Sequence, residues 1–388
     1  MSPVTMKRFS RLLPLAMLAG LAVCFAAGCS ADAEESNSDS GDDAVVVDTG
    51  SPHARAQYDA NVAFALGYKP QCKPNGDRPR VLVTGFGRFL ENNDNATGRI
   101  VSALVPDAAY PETTPPTPGP QGWAVDPPAP QTSVAVGTIE LPNAGTVDVC
   151  AMIVPVYWDL SSILIAKEID SFKPSLVLMN GIAGDTQDLW IELGSVNLAM
   201  TLEDGSDILH PVAPTGQTQA KIVPNASAKD RSRGLLLSWN AVRSAAEKAV
   251  NAQADVSGAN ERFGDLLPGV KLGGFPRSSN TYLCNNTTYV INYLMGYPGR
   301  AVTLLKASKA VKGKPNSVST TIKDDARAVP RTFMHWPSKL VDDASFTSAG
   351  AEIVKAVIDA QLTATKNGDL AKVGDNASAD ATLGGDTF

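Results

Sequence analysis

The chain of 388 residues has only three His, five Cys and no surplus of positive charge. With so few His, and no His/Cys/Asp cluster at ligand spacing, the sequence offers no metal centre. A formal charge of -7 argues against nucleic acid as a partner, because phosphate binding needs clustered Lys and Arg. Long apolar runs are missing too. The one extended run, residues 12–27, is short of the roughly 18 residues that suggest a membrane-spanning helix. What remains is 44% hydrophobic content, ample for a core, and no internal repeat.

The chain ends differ from its middle. Lys7, Arg8 and Arg11 precede the apolar run, which closes on Ala26-Ala27-Gly28-Cys29. That ending resembles the lipobox of bacterial lipoproteins. It implies that residues 1–28 are a removable signal peptide and that Cys29 carries the lipid, anchoring the protein to a membrane. By the same resemblance, to Gram-negative lipoproteins, Ser30 after the acylated Cys implies the outer membrane of the cell envelope, facing the periplasm or the exterior. Residues 29–56 read as a disordered acidic tether, and residues 366–388, rich in Gly, Asp and Ala, as a disordered tail. One folded domain is expected between them, over residues 57–365.

Inside that domain the apolar run from residue 80 breaks into the glycine turn Gly85-Phe86-Gly87, and a helix is predicted around residues 98–105. Strand, turn and helix open an α/β domain. A Pro-rich excursion follows over residues 106–130. Residues 132–141 and 146–155, split by Pro142-Asn143-Ala144-Gly145, predict a hairpin. Asp159 is placed to cap a helix carrying Leu160, Ile163, Leu164 and Phe172. Residues 175–180 predict a strand ending in Gly181-Ile182-Ala183-Gly184, and residues 235–250 a helix. Further excursions cover residues 203–233, 251–273 and the Lys-rich 306–327. Ile353, Val354, Val357, Ile358 and Leu362 mark a closing helix.

Chemistry concentrates around Cys284. Residues 278–286 form a polar turn of small residues that runs into Tyr289, Val290, Tyr293 and Leu294 at helical spacing, so Cys284 falls where a helix begins. Unpaired N–H groups and the positive end of the helix dipole stabilise a thiolate there. The bland alternative is a small buried core residue.

Several stretches together resemble the pyroglutamyl peptidase I family of cysteine peptidases. The run from Val81 through Thr84-Gly85-Phe86-Gly87-Arg88-Phe89, with Asn95 downstream, is similar to the family's VTGFxPFGG…N opening. Val154-Pro155-Val156-Tyr157-Trp158-Asp159 resembles LPVxFD. Gly181-Ile182-Ala183-Gly184, with Glu192 and Asn197, keeps the spacing of GxAGGRxxIxxERVAIN. Thr281-Tyr282-Leu283-Cys284-Asn285 resembles GTFVCN, and Phe333-Met334-His335-Trp336-Pro337 resembles FIHVP. The set covers about residues 80–360 in the family's order. It implies a single three-layer α/β/α domain with an open, mostly parallel mixed sheet. It also implies a cofactor-free thiol peptidase that removes N-terminal pyroglutamate from a blocked peptide. Carried over residue by residue, the catalytic triad is Glu192, Cys284 and His335, with Phe86 and Phe89 enclosing the flat lactam and Asn95 a polar contact.

The chain departs from the family at Leu90-Glu91, Asp185-Thr186, Leu193 and Ser279-Asn280. A second register would set Leu305 where the base belongs; only His335 gives a competent base. Two other readings therefore stay open: a related cysteine hydrolase with another small acyl or amide specificity, and a catalytically inactive binding lipoprotein on the same fold. His53 in the tether and His210 in an excursion are poorer bases. After loss of Cys24 and acylation of Cys29, three thiols remain, and a Cys72–Cys150 disulfide is the pairing that leaves Cys284 reactive. The oligomeric state is left open.

Overall fold

The computed structural model describes residues 44–88, 94–111, 130–183, 187–201, 218–277, 280–341 and 343–375, with two short strands at Thr117–Pro118 and Ala124–Val125. Cys29, Phe89 and His210 lie outside the described residues, as do Leu90, Glu91, Asp185, Thr186 and Ser279.

In chain order the main elements are helix α1 (Pro52–Gly67), strand β1 (Arg80–Phe86), helix α2 (Ala96–Leu104), strands β2 (Ser133–Leu141) and β3 (Gly145–Val154), and helix α3 (Leu160–Phe172). Strands β4 (Leu176–Ala183) and β5 (Leu189–Glu192) follow, then helix α4 (Trp239–Gln253) and strand β6 (Val270–Gly273). Helix α5 (Leu283–Gly296), strand β7 (Arg331–Pro337) and helix α6 (Ala344–Lys366) complete the set. The fold class is α/β. Seven strands form one open sheet in the order β6-β5-β7-β4-β1-β3-β2. The central four, β7-β4-β1-β3, run parallel, while β2 and the β5–β6 pair run against them at the two sides.

Residues alternate between the two faces along each strand, which is the physical basis of the three layers. Leu82, Met152, Val177 and Met179 pack into one apolar cluster with α3 and α5, and α1 joins it. Val81, Val83, Val149 and Leu178 pack into the other with α2, α4 and α6. Because the central strands are covered on both faces, they read as continuous apolar runs. That is why residues 80–86 and 176–180 were legible as strands.

Several local expectations change. The hairpin is present, and Gly145 turns it at φ 76°, a conformation glycine adopts without a Cβ penalty. Asp159 stands at the N-cap position of α3 but in a left-handed conformation, and its side chain makes no cap bond. Its carboxylate instead accepts from Asn286 Nδ2 (2.9 Å) and the Leu305 amide (2.8 Å). Residues 44–56, within the expected tether, are structured. Ala44 and Val45 are buried, the Val45 and Val47 amides donate to the Lys221 and Lys306 carbonyls, and Ser51 caps α1. The apolar interruption at Val45-Val46-Val47 supplies enough buried surface and backbone pairing to dock the segment. At the other end, Ala371–Lys372 pairs with Leu236–Leu237, so the ordered chain passes the expected boundary at 365.

A disulfide joins Cys72 to Cys150 on β3. Glu168 lies beside it and accepts from the Gln71 and Cys72 amides (2.8 and 3.0 Å) and from the Tyr68 hydroxyl. Among the described residues, these two cysteines and Glu168 form the cluster with the ligand types a metal would need, and both sulfurs are committed to each other. Among the described residues no helix is long and apolar enough to cross a membrane.

Candidate active site

The site lies at the carboxyl ends of the parallel strands, where open α/β sheets place their ligands. Four neighbouring strands contribute to it. β7 lies between β4 and β5, with His335 in register with Gly181 on one side and Trp190 on the other. Phe333 and His335, two residues apart, share one face of β7, and Glu192 and Trp190 share the same face of β5.

Cys284 is the second residue of α5. The Asn286 amide is the first to donate within the helix, to the Tyr282 carbonyl, so the amides of Leu283, Cys284 and Asn285 precede it and have no acceptor inside the helix. The N-cap Tyr282 side chain makes no cap bond to them. Residues following Cys284 fix the helix. Asn285 accepts from the Val196 amide (3.0 Å) and donates to the Val196 and Leu198 carbonyls (3.0 and 2.9 Å), tying the helix start to the segment after Glu192. Asn286 bonds Asp159 and Ser162, and Thr287 bonds Ser161.

His335 Nδ1 lies 2.9 Å from Glu192 Oε1, both side chains being almost wholly buried. His335 also hydrogen-bonds Cys284, so its imidazole bridges sulfur and carboxylate. Burial on its own would lower the His335 pKa. The charges of Cys284 and Glu192 and the hydrogen bonds to both overcome that and raise it to about 10. The ring is thus held as imidazolium at neutral pH, beside the sulfur.

Space around the sulfur is tight. A Cβ on Gly181 would meet Phe333 Cζ at 2.6 Å and Cys284 Sγ at 3.0 Å, so the glycine of β4 is what lets the sulfur settle over the sheet. The Phe333 ring stands between Phe86 (centroids 6.5 Å) and His335 (4.8 Å). Phe86 is buried at the end of β1, one strand beyond β4.

No protein-family model and no curated protein matches the chain. Among solved structures it is similar to pyroglutamyl peptidase I from Bacillus amyloliquefaciens, at 12% identity over 74% of this chain and 98% of that one, with a TM-score of 0.43. It is similar to the pyrrolidone carboxyl peptidase from Thermococcus litoralis at 15% identity, covering 77% and 98% of the two chains, TM-score 0.42. A mutant pyrrolidone carboxyl peptidase from Pyrococcus furiosus shows 16% identity, coverage of 73% and 98%, and a TM-score of 0.41.

The structure brings Glu192, Cys284 and His335 together from three elements, and places Phe86 one ring away. Asn95 serves elsewhere. Its amide oxygen accepts from the Thr97 amide (3.1 Å) and hydroxyl (2.8 Å), capping α2, and Thr97 in turn accepts from the Phe86 amide. Asn95 therefore reaches Phe86 only through Thr97, at the helix start that braces β1. His53 lies on α1, away from this constellation in sequence and element. Two contributors were not singled out from the sequence. Phe333 was visible as part of its motif, but its ring contacts were not. Trp190 carried no signal beyond its spacing of two from Glu192.

Proposed function

We propose that the protein is a cysteine-type omega peptidase that hydrolyses the amide bond after an N-terminal pyroglutamyl residue. The observation that carries this reading is the His335 imidazole, 2.9 Å from the Glu192 carboxylate and joined to Cys284 at the start of α5, in a chain whose ordered motifs resemble that family. In this reading Cys284 Sγ attacks the acyl carbonyl carbon, forming the C–S bond. The developing oxyanion takes hydrogen bonds from amides of the first turn of α5. His335 gives its proton to the leaving nitrogen as the C–N bond breaks, and Glu192 holds the ring's orientation and its positive charge. Water, losing a proton to His335, then cleaves the thioester and releases pyroglutamate and free enzyme. No step needs a metal or an oxidant.

A neutral, flat lactam suits an apolar wall such as Phe86. Because Asn95 is engaged with its own helix, other small neutral acyl groups belong in the same assay. The test is release of a dye from pyroglutamyl amide under mild reduction, beside a panel of other N-blocked amides. Cleavage that falls by at least about 10³-fold in Cys284→Ala, with the melting temperature kept, is the expected result. Cleavage of another blocked amide in preference would move the reading to the related hydrolase, and wild-type protein inert toward the whole panel would overturn it.

A further inference from the structure

The order of strands gives the bound substrate a direction. Across the sheet the site runs from Phe86 on β1, to Gly181 under the Cys284 sulfur on β4, to His335 on β7, to Trp190 on β5 and Lys271 on β6. The acyl pocket belongs at the β1 end, against Phe86. The proton donor for the departing nitrogen stands on the opposite side of the sulfur, so the departing residue continues toward β5.

Trp190 occupies that position. It is in register with His335 across the antiparallel β5–β7 pair, and such partners share a face with Cβ atoms about 4.5–5.5 Å apart. On its far side Lys271, in register with Trp190 across the parallel β5–β6 pair, sets its ammonium 5.2 Å from the indole centroid. Lys271 is itself held 3.1 Å from Asp188 Oδ2, so a charged pair rims the indole at the sheet's edge. Trp190 is half-buried, unlike the fully buried Leu189 and Ile191 beside it. A large indole part-exposed next to the proton donor is a stacking surface, and its rim limits how far an apolar group extends.

We propose that Trp190 is a specificity-determining residue for the leaving side of the scissile bond, selecting peptides whose second residue is aromatic or large and apolar. This rests on the peptidase reading above. Trp190 takes no part in the proton or sulfur chemistry; it positions the departing residue so that its nitrogen meets His335.

The experiment compares kcat/KM for pyroglutamyl-Phe and pyroglutamyl-Ala with full-length protein. Wild type should favour the Phe peptide by about tenfold or more. Trp190→Leu, which keeps an apolar side chain on the strand, should bring the ratio close to one by losing rate on the Phe peptide while the Ala peptide changes little. Trp190→Phe should restore most of the preference, an outcome a purely structural role would not give. A ratio in Trp190→Leu equal to that of wild type, with turnover intact, overturns the proposal and leaves the peptidase reading standing. Wild-type protein that cleaves neither peptide overturns both.

Discussion

The two faces of the sheet are covered by helices of opposite character. On one face α5 buries Asn285, Asn286, Thr287, Thr288 and Asn292 among its apolar residues, and most of these polar groups bond to neighbouring elements. Even its far end is tied down, with Asn292 accepting from Arg331 Nε (2.8 Å) and Tyr289 donating to the Asp230 carbonyl (2.7 Å). On the other face α6 buries Ile353, Val354, Val357 and Ile358, and its long-range polar ties lie at its edges: the N-cap Asp343 to the Ala259 amide, Ser345 to the Ser257 carbonyl, Asp359 to the β2–β3 turn and Gln361 to the Ser238 amide. Burial of apolar area is strong but non-directional, so it holds a helix against the sheet without fixing its rotation closely. Hydrogen bonds are weaker in net terms but directional, and they fix position. The face carrying the sulfur is the one that needs placement to a fraction of an ångström.

Three measurements would break or sharpen this contrast. The largest stability effect belongs to the apolar face: Ile358→Ala should lower the unfolding free energy by about 2–5 kcal/mol in urea titration, while kcat/KM of the folded fraction stays near wild type. A loss of turnover without loss of stability there would erase the distinction. On the polar face, Asn286→Ala removes the bond to Asp159, a wholly buried carboxyl that burial already pushes above its usual pKa. It should cost about 1–3 kcal/mol and, in contrast to Ile358→Ala, slow alkylation of Cys284 by iodoacetamide. Unchanged alkylation would mean that apolar packing alone sets the sulfur.

The third measurement reads a pH slope in place of the effect of a substitution at one pH. His335 has its pKa raised from 6.5 to about 10, burial opposing and the Cys284 and Glu192 interactions prevailing. The folded state therefore holds this proton more tightly than the unfolded chain. Its contribution is complete below about pH 6.5 and is lost as pH rises toward 10, at up to about 1.4 kcal/mol per pH unit. Stability measured between pH 7 and 10 should fall in wild type and fall less steeply in Glu192→Gln. Equal slopes would show that the ion pair on the polar face contributes nothing to folding.

How much of this was legible depends on the range of each interaction. β1, the hairpin and the start of α5 were readable, because alternation and helical spacing operate within a few residues. The docked segment 44–49 was not, since its amides pair with residues 221 and 306, far along the chain. The choice between His335 and a register based on Leu305 was also beyond local pattern. In the fold Val302–Leu304 pairs with Val318–Thr320 outside the main sheet, and Leu305 takes φ 48° to donate its amide to Asp159. Arg331–Pro337 is the strand that enters beside β4.

The sequence by itself determined the opening strand, the hairpin and the main helices, that a thiol starts a helix, and which residue types are available for catalysis, while β5 and β6, the latter inside the expected excursion 251–273, escaped it. Those are matters of side-chain type and short-range spacing. Tertiary structure alone decided that sulfur, imidazole and carboxylate meet, and that Trp190 stands beside the base. Strand order and register are set by packing between residues distant in the chain, and no local pattern encodes which strand becomes whose neighbour.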